Sequence, residues 1–147
     1  MQIRAFVEAD EARVVELWQR CGLLRPWNDP HKDIARKLRV QRELFLVGEI
    51  DGRLVAAVMA GYEGHRGWVN YLAVDPDLQG NGLGRQMMAE VEQRLAALGC
   101  PKVNLQIRRG NTEVLAFYAR LGYAEDDVVS MGKRLIRDDA DGKKADT

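Results

Sequence analysis

Little in this chain can bind a metal or form a cross-link. Its 147 residues include only two cysteines and two histidines. Cys21 and Cys100 have neither a metal-ligand spacing nor the pattern of a disulfide framework. Each stands beside a glycine near the expected end of a helix, so both read as reduced structural thiols of a cytoplasmic protein. Long hydrophobic runs are missing too. The longest, Leu54 to Ala60, is far short of the ~20 residues of a membrane span and reads as a buried strand. The opening residues, Met1-Gln2-Ile3-Arg4-Ala5, carry neither the basic region nor the apolar stretch of a signal peptide. No charge of one sign dominates: 22 Lys+Arg offset 22 Asp+Glu. A neutral chain is poorly suited to sequence-independent nucleic-acid binding and to polybasic membrane attachment. The expected partners therefore include no metal, no nucleic acid and no membrane; a monomer and a homodimer both remain open.

What is present is a globular composition, 46% hydrophobic and 30% charged. These values exclude global disorder, and the length fits one domain. Gln2 to Val7 predicts a short strand. Val14, Leu17, Trp18 and Cys21 recur at helical spacing after an Ala9-Asp10 start and before Gly22. Two prolines keep Leu23 to Pro30 irregular, and Lys32 to Gln41 reads as a second helix. The period then changes. Leu44 to Ile50 and Arg53 to Tyr62 flank an Asp51-Gly52 hairpin signal, and Trp68 to Val74 completes a three-strand meander. After Asp75-Pro76 comes a glycine-rich loop, then a helix with Leu83, Met87, Val91, Leu95 and Leu98 on one face. Lys102 to Arg108 reads as a strand, Asn111-Thr112 opens a shorter helix, and Tyr123 to Glu125 and Val128 to Leu135 read as two last strands. From Arg137 the composition offers no apolar anchor, which predicts a frayed tail over 137–147 behind a domain of residues 1–136.

The loop Gln79-Gly80-Asn81-Gly82-Leu83-Gly84-Arg85 carries the most information. Alternating glycines let backbone approach a ligand and take positive φ. The first N–H groups of a helix lack intrahelical partners, and with the helix dipole they form an anion site suited to phosphate. A Walker loop would end in Gly-Lys-Ser/Thr, whereas this one ends in Gly84-Arg85-Gln86. A dinucleotide fold needs G-x-G-x-x-G and an acidic residue at the next strand end; here the spacing is G-x-G-x-G and the next strand ends in Gln106-Ile107-Arg108. The plain alternative is a glycine-rich turn that binds nothing.

Leu72 to Pro76 through Gln79 to Arg85 resembles the acetyl-CoA motif, Q/R-x-x-G-x-G/A, of the GNAT N-acetyltransferases. Asn111, then Ala116-Phe117-Tyr118 and Leu121-Gly122-Tyr123, resembles the family's second motif. Within the family the chain is similar to small bacterial members of the ribosomal-protein N-acetyltransferase (RimI-like) and YpeA types. The resemblance implies an α/β (α+β) fold: a central mixed, mostly antiparallel twisted sheet of about seven strands with four helices, splayed between the fourth and fifth strands. It implies acetyl-CoA as co-substrate and transfer of an acetyl group to a primary amine, either a protein N-terminus or a small amine. Backbone groups of Leu72, Ala73 and Val74 would pair with the pantetheine arm like an added strand. Gln79, Gly80, Asn81, Gly82, Leu83, Gly84 and Arg85 would form the pyrophosphate loop. A main-chain N–H near Leu72 would polarise the thioester carbonyl, and Asn111 would bond the pantetheine.

A phenol can protonate a leaving thiolate, which suits Tyr118 as general acid; the alternative is a core tyrosine beside Val114 and Leu121. In similar proteins a glutamate on the strand after the glycine-loop helix often serves as base, but the matching residue here is Gln106, whose amide accepts no proton at useful pH. Glu49, Glu63, His65, His31 and Asp29 are the substitutes, each also readable as a solvated surface group. The loop Trp27 to His31 is the expected acceptor contact. An acyl-CoA-binding regulatory or catalytically silent module is the competing function, and a longer acyl donor is a further alternative. The neutrality also hides a division. Residues 78–120 hold six Lys/Arg and three Asp/Glu, a local 6 − 3 = +3, around the proposed phosphate loop.

Overall fold

The computed structural model describes residues 1–139. Five strands form one sheet in the order β1 (Gln2–Ala5), β2 (Phe45–Ile50), β3 (Arg53–Tyr62), β4 (Gly67–Val74) and β5 (Val103–Leu105). The first four are antiparallel neighbours, and β5 joins β4 in parallel. The meander follows from local chemistry. Asp51 and Gly52 both take positive φ, +50° and +77°, the conformation that a two-residue turn matched to strand twist requires.

Four α-helices cover the two faces: α1 (Glu11–Arg20), α2 (Pro30–Lys37), α3 (Leu83–Ala97) and α4 (Thr112–Arg120). The second helix starts earlier than its apolar spacing predicts. Asp29 accepts from the His31 and Lys32 backbone N–H groups at 2.9 and 3.3 Å, and Pro30 occupies the first turn, where its missing N–H costs nothing. One face of the sheet buries Leu46, Val58 and Val69 against Met87, Val91 and Leu95 of α3 and Tyr118 of α4. The other buries Phe45, Val47 and Ala57 against Val14, Leu17 and Trp18 of α1 and Ile34 of α2. Alternate strand residues thus feed two separate cores.

The expected two last strands are not formed, so the sheet has five strands rather than about seven. Val128, Val129, Met131, Leu135 and Ile136 are all at least 65% exposed. A β-prone stretch with no buried face gains little from pairing. Side chains hold this segment instead: Asp126 accepts from Lys102 and Asn104, both at 2.8 Å. Beyond Arg137, where no apolar anchor is expected, Asp138 makes an ionic contact instead: it is 5% exposed and ion-paired to Arg36 at 2.5 Å. Residues 140–147 lie outside the described residues. Among the described residues no helix is long and apolar enough to cross a membrane.

Candidate active site

The sheet opens between β4 and β5. Their pairing runs from Gly67↔Val103 to Val69↔Leu105 and stops, while β4 continues to Val74. Toward β5, Leu72, Ala73 and Val74 therefore present a strand edge without a backbone partner. On its other side β4 stays paired, with Ala56↔Val74 and Ala57↔Ala73. An unpaired edge on a rigid strand accepts an extended ligand as an additional strand.

That edge leads into the glycine loop. Asp75 ends β4 and is 2% exposed. It accepts from the Asp77 backbone N–H at 2.9 Å, which turns Pro76–Leu78 into one 3-10 turn. Gln79 Nε2 donates back to the Val74 carbonyl at 3.2 Å, and Asn81 Nδ2 donates to the Leu78 carbonyl at 2.9 Å. Both side chains shape the loop from within. Gly80 and Gly82 have φ of +87° and +79°, with open space where a Cβ would lie. Gly84 differs: a Cβ there would stand 3.0 Å from Phe117 Cζ, so this glycine admits α4 rather than a ligand.

The start of α3 fits an anionic group such as a diphosphate. Gly82 is its N-cap and offers no side chain, and the first turn holds no acid. The first helical N–H groups of this 15-residue helix thus have no protein acceptor from the cap, and the helix dipole adds positive potential there. Arg85 is exposed beside them. Among the described residues no group of His, Cys, Asp and Glu could hold a metal ion.

Tyr118 is 7% exposed and lies in the core cluster that Leu72, Val74, Leu105 and Ile107 also border. Its ring meets Phe117 and Tyr123 edge-on at 4.9 and 5.5 Å. Burial pushes its phenol up to about 12, so it keeps its proton at neutral pH. Asn111 is the N-cap of α4: its Oδ1 accepts from Val114 N–H at 3.3 Å, leaving the amide nitrogen as its donor.

The candidate bases are occupied or remote. Gln106 donates to Ser130 Oγ. Glu49 pairs with Arg4. Glu63 accepts from the backbone of His65 and Arg66 in the turn between β3 and β4, at the end of the sheet away from the glycine loop, and His65 is exposed there. His31 Nδ1 lies 2.6 Å from Glu11 Oε2, and Asp29 caps α2. In the loop expected to contact the acceptor, the Trp27 ring has Arg108, three residues beyond β5, over it at 5.6 Å. Sequence reasoning missed Asp33 and Tyr71, whose side chains meet at 2.6 Å beside the gap. No spacing rule links a helix to a strand 38 residues away.

The split sheet and the uncapped helix start at its mouth form an open cleft in an α/β fold, with backbone N–H groups free to meet an anion. The model of the acetyltransferase (GNAT) family matches residues 11–123. An acetyltransferase of Pectobacterium atrosepticum is 48% identical over 138 residues, 94% of this chain and 98% of that protein. The chain belongs to the GNAT acetyltransferase family, whose members use acetyl-CoA as co-substrate, and it is an N-acetyltransferase. In fold it is similar to Ard1 from Thermoplasma volcanium (TM-score 0.76, 22% identity, 84% of this chain and 82% of that one). It is also similar to the ribosomal-protein-S18-alanine N-acetyltransferase of Escherichia coli (TM-score 0.72, 24% identity, 85% and 78%).

Proposed function

We propose that this enzyme acetylates a primary amine of low basicity, a protein N-terminus or a small amine, by direct attack on acetyl-CoA. The observation that carries the reading is the continuous path from the free edge of β4 at Leu72–Val74 to the uncapped start of α3 at Gly82. Leu72, Ala73 and Val74 pair with the pantetheine arm through their backbone. Main-chain N–H groups between Gly80 and Arg85 hold the pyrophosphate, Gln79 and Asn81 fix the loop, and the amide of Asn111 donates to the pantetheine. A backbone N–H near Leu72 polarises the thioester carbonyl.

The amine nitrogen attacks that carbonyl carbon, the C–S bond breaks, and the Tyr118 hydroxyl gives its proton to the departing sulfur. The proton lost by the amine passes to water. Gln106 supports the choice of acceptor. Without a carboxylate at that position, an α-amino group with pKa near 8 supplies far more free amine at neutral pH than a lysine near 10.4.

Thiol release from acetyl-CoA, measured against N-terminal peptides, lysine peptides and small amines, tests this. Acceptor-dependent release with α-amino substrates supports it. Tight acetyl-CoA binding with no release in any panel member would favour a silent binding module, and a co-purified longer thioester seen by mass spectrometry would change the donor.

A further inference from the structure

The strand beside the gap is irregular. Tyr71 has φ +56°, a left-handed conformation rare outside glycine. Between the pairs Met59↔Asn70 and Ala57↔Ala73, two residues of β4, Tyr71 and Leu72, stand opposite Val58 alone. This is a β-bulge, and it reverses the side-chain alternation. Val69 points into the α3-side core, yet Tyr71, two residues on, packs on the α1 side. Leu72 then returns to the α3 side and Ala73 to the α1 side. The bulge begins two residues after Val69, the last residue of β4 paired with β5.

Left-handed backbone at a bulky residue persists only where its surroundings over-determine it. Here two contacts do so, both from the opposite face to α3. The Tyr71 ring stacks on Trp18 of α1, with centroids 4.0 Å apart and planes at 15°. Its hydroxyl donates to Asp33 Oδ2 of α2 at 2.6 Å. Asp33 is in turn held: Arg36 Nη1 lies 3.3 Å from its Oδ1. Arg36 also grips Asp138, whose Oδ2 accepts the Asp29 backbone N–H at 3.1 Å. The hydrogen bond from Tyr71 thus ends on a braced carboxylate rather than a free surface group.

We propose that Asp33 and Tyr71 are positioning residues: their hydrogen bond locks the bulge so that the backbone at Leu72 is aimed at the thioester carbonyl. The inference rests on the reading that acetyl-CoA lies along β4. It goes beyond that reading by assigning carbonyl polarisation to a side-chain clamp on the α2 face. Helix α2, which the acceptor-side loop at Trp27 precedes, becomes mechanically connected to the electrophile.

The test uses Y71F, which keeps the ring and its stacking on Trp18, together with D33L and D33N. The readouts are kcat and KM for acetyl-CoA, melting temperature, and the infrared carbonyl frequency of bound [1-13C]acetyl-CoA. Wild-type protein should lower that frequency relative to free ligand. Y71F and D33L should return it toward the free value and reduce kcat about tenfold or more with little change in KM, since a mis-aimed oxyanion donor acts on the transition state. D33N, whose amide oxygen still accepts the hydroxyl's hydrogen bond, should recover most of the loss. An unchanged frequency and kcat in Y71F, whatever the melting temperature, would overturn the clamp while leaving the acetyl-CoA reading intact. A wild-type protein that binds no acetyl-CoA would overturn both.

Discussion

Arg20 and Asp75 form a two-point ion pair, with Arg20 Nη2 2.9 Å from Asp75 Oδ1 and Nη1 3.1 Å from Oδ2. The pair ties the end of α1 to the residue that launches the glycine loop. Arg53 of β3 adds a third contact to the same carboxylate at 3.2 Å. With the Asp77 backbone also donating, the Arg20 hydrogen bonds and these other partners hold the buried Asp75 carboxyl below its usual range. One anionic group thereby orients α1, β3 and the start of the loop.

Replacing Asp75 by Ala should therefore cost both stability and cofactor affinity. Removing one partner of a buried, hydrogen-bonded charge leaves the others uncompensated; with both arginines partly exposed we expect about 2 kcal/mol. For a protein of this size that is a fall in Tm of roughly 6 °C, readable by calorimetry. Acetyl-CoA titration should show weakened binding at temperatures where the variant is still folded.

The glycines of the loop should separate by role. Gly82→Val puts a branched side chain on a residue at φ +79° with open space around it. The strain costs roughly 1 to 2 kcal/mol, and the side chain occupies the mouth of the helix start, so acetyl-CoA binding should be lost. Gly84→Ala drives a methyl to within 3.0 Å of Phe117. It should destabilise by about 1 kcal/mol through overpacking with a milder effect on affinity. Equal binding in wild type and Gly82→Val would remove the loop from the phosphate role.

Tyr118→Phe should reduce kcat on the order of a hundredfold, the low end of general acid catalysis, with KM for acetyl-CoA little altered. Because burial holds the phenol up to about 12, loss of its proton should cause no fall in rate between pH 7 and 10. A rise in rate with pH should instead follow the acceptor, with a midpoint near 8 for an α-amine and near 10 for a lysine-like amine. Stopped assays across that range report both.

Acid should weaken the fold through Asp10 and Asp138. The Arg4 hydrogen bond lowers Asp10 to about 2, and the Arg36 hydrogen bond lowers Asp138 to about 2. In the unfolded chain such carboxyls titrate near 3.9. Depressed folded values mean that both contribute stability above about pH 4, and that the contribution is lost as pH falls from about 4 toward 2. Urea melts in that window should show the loss, and Asp10→Asn should flatten the pH dependence over the same range.

The meander, the four helices and the glycine loop were legible because each is signalled within a few residues. Asp51-Gly52 marks its own turn, and the spacing of Val14, Leu17 and Trp18 marks its own face. The two final strands were misjudged for the same reason. Val128 to Leu135 has the composition of a strand, but strand formation depends on a partner and a buried face, and these residues find neither among the described residues. Tyr118 and the loop residues were reached through motif resemblance, which reports position along the chain. The partners of the candidate bases are not legible in the sequence, because side-chain commitment is a matter of neighbours: Glu49 pairs with Arg4 and Asp29 caps the start of α2.

The order of amino acids by itself determined where the chain turns, which face of each helix is apolar, and where backbone N–H groups lie open for an anion, since all three depend on interactions over a few residues. The tertiary structure alone decided the bulge at Tyr71. Nothing in Trp68 to Val74 marks one residue of a β-prone run as left-handed. That conformation is held by Trp18 and Asp33, residues remote in sequence, and their contacts with Tyr71 exist only once α1 and α2 have packed across the sheet.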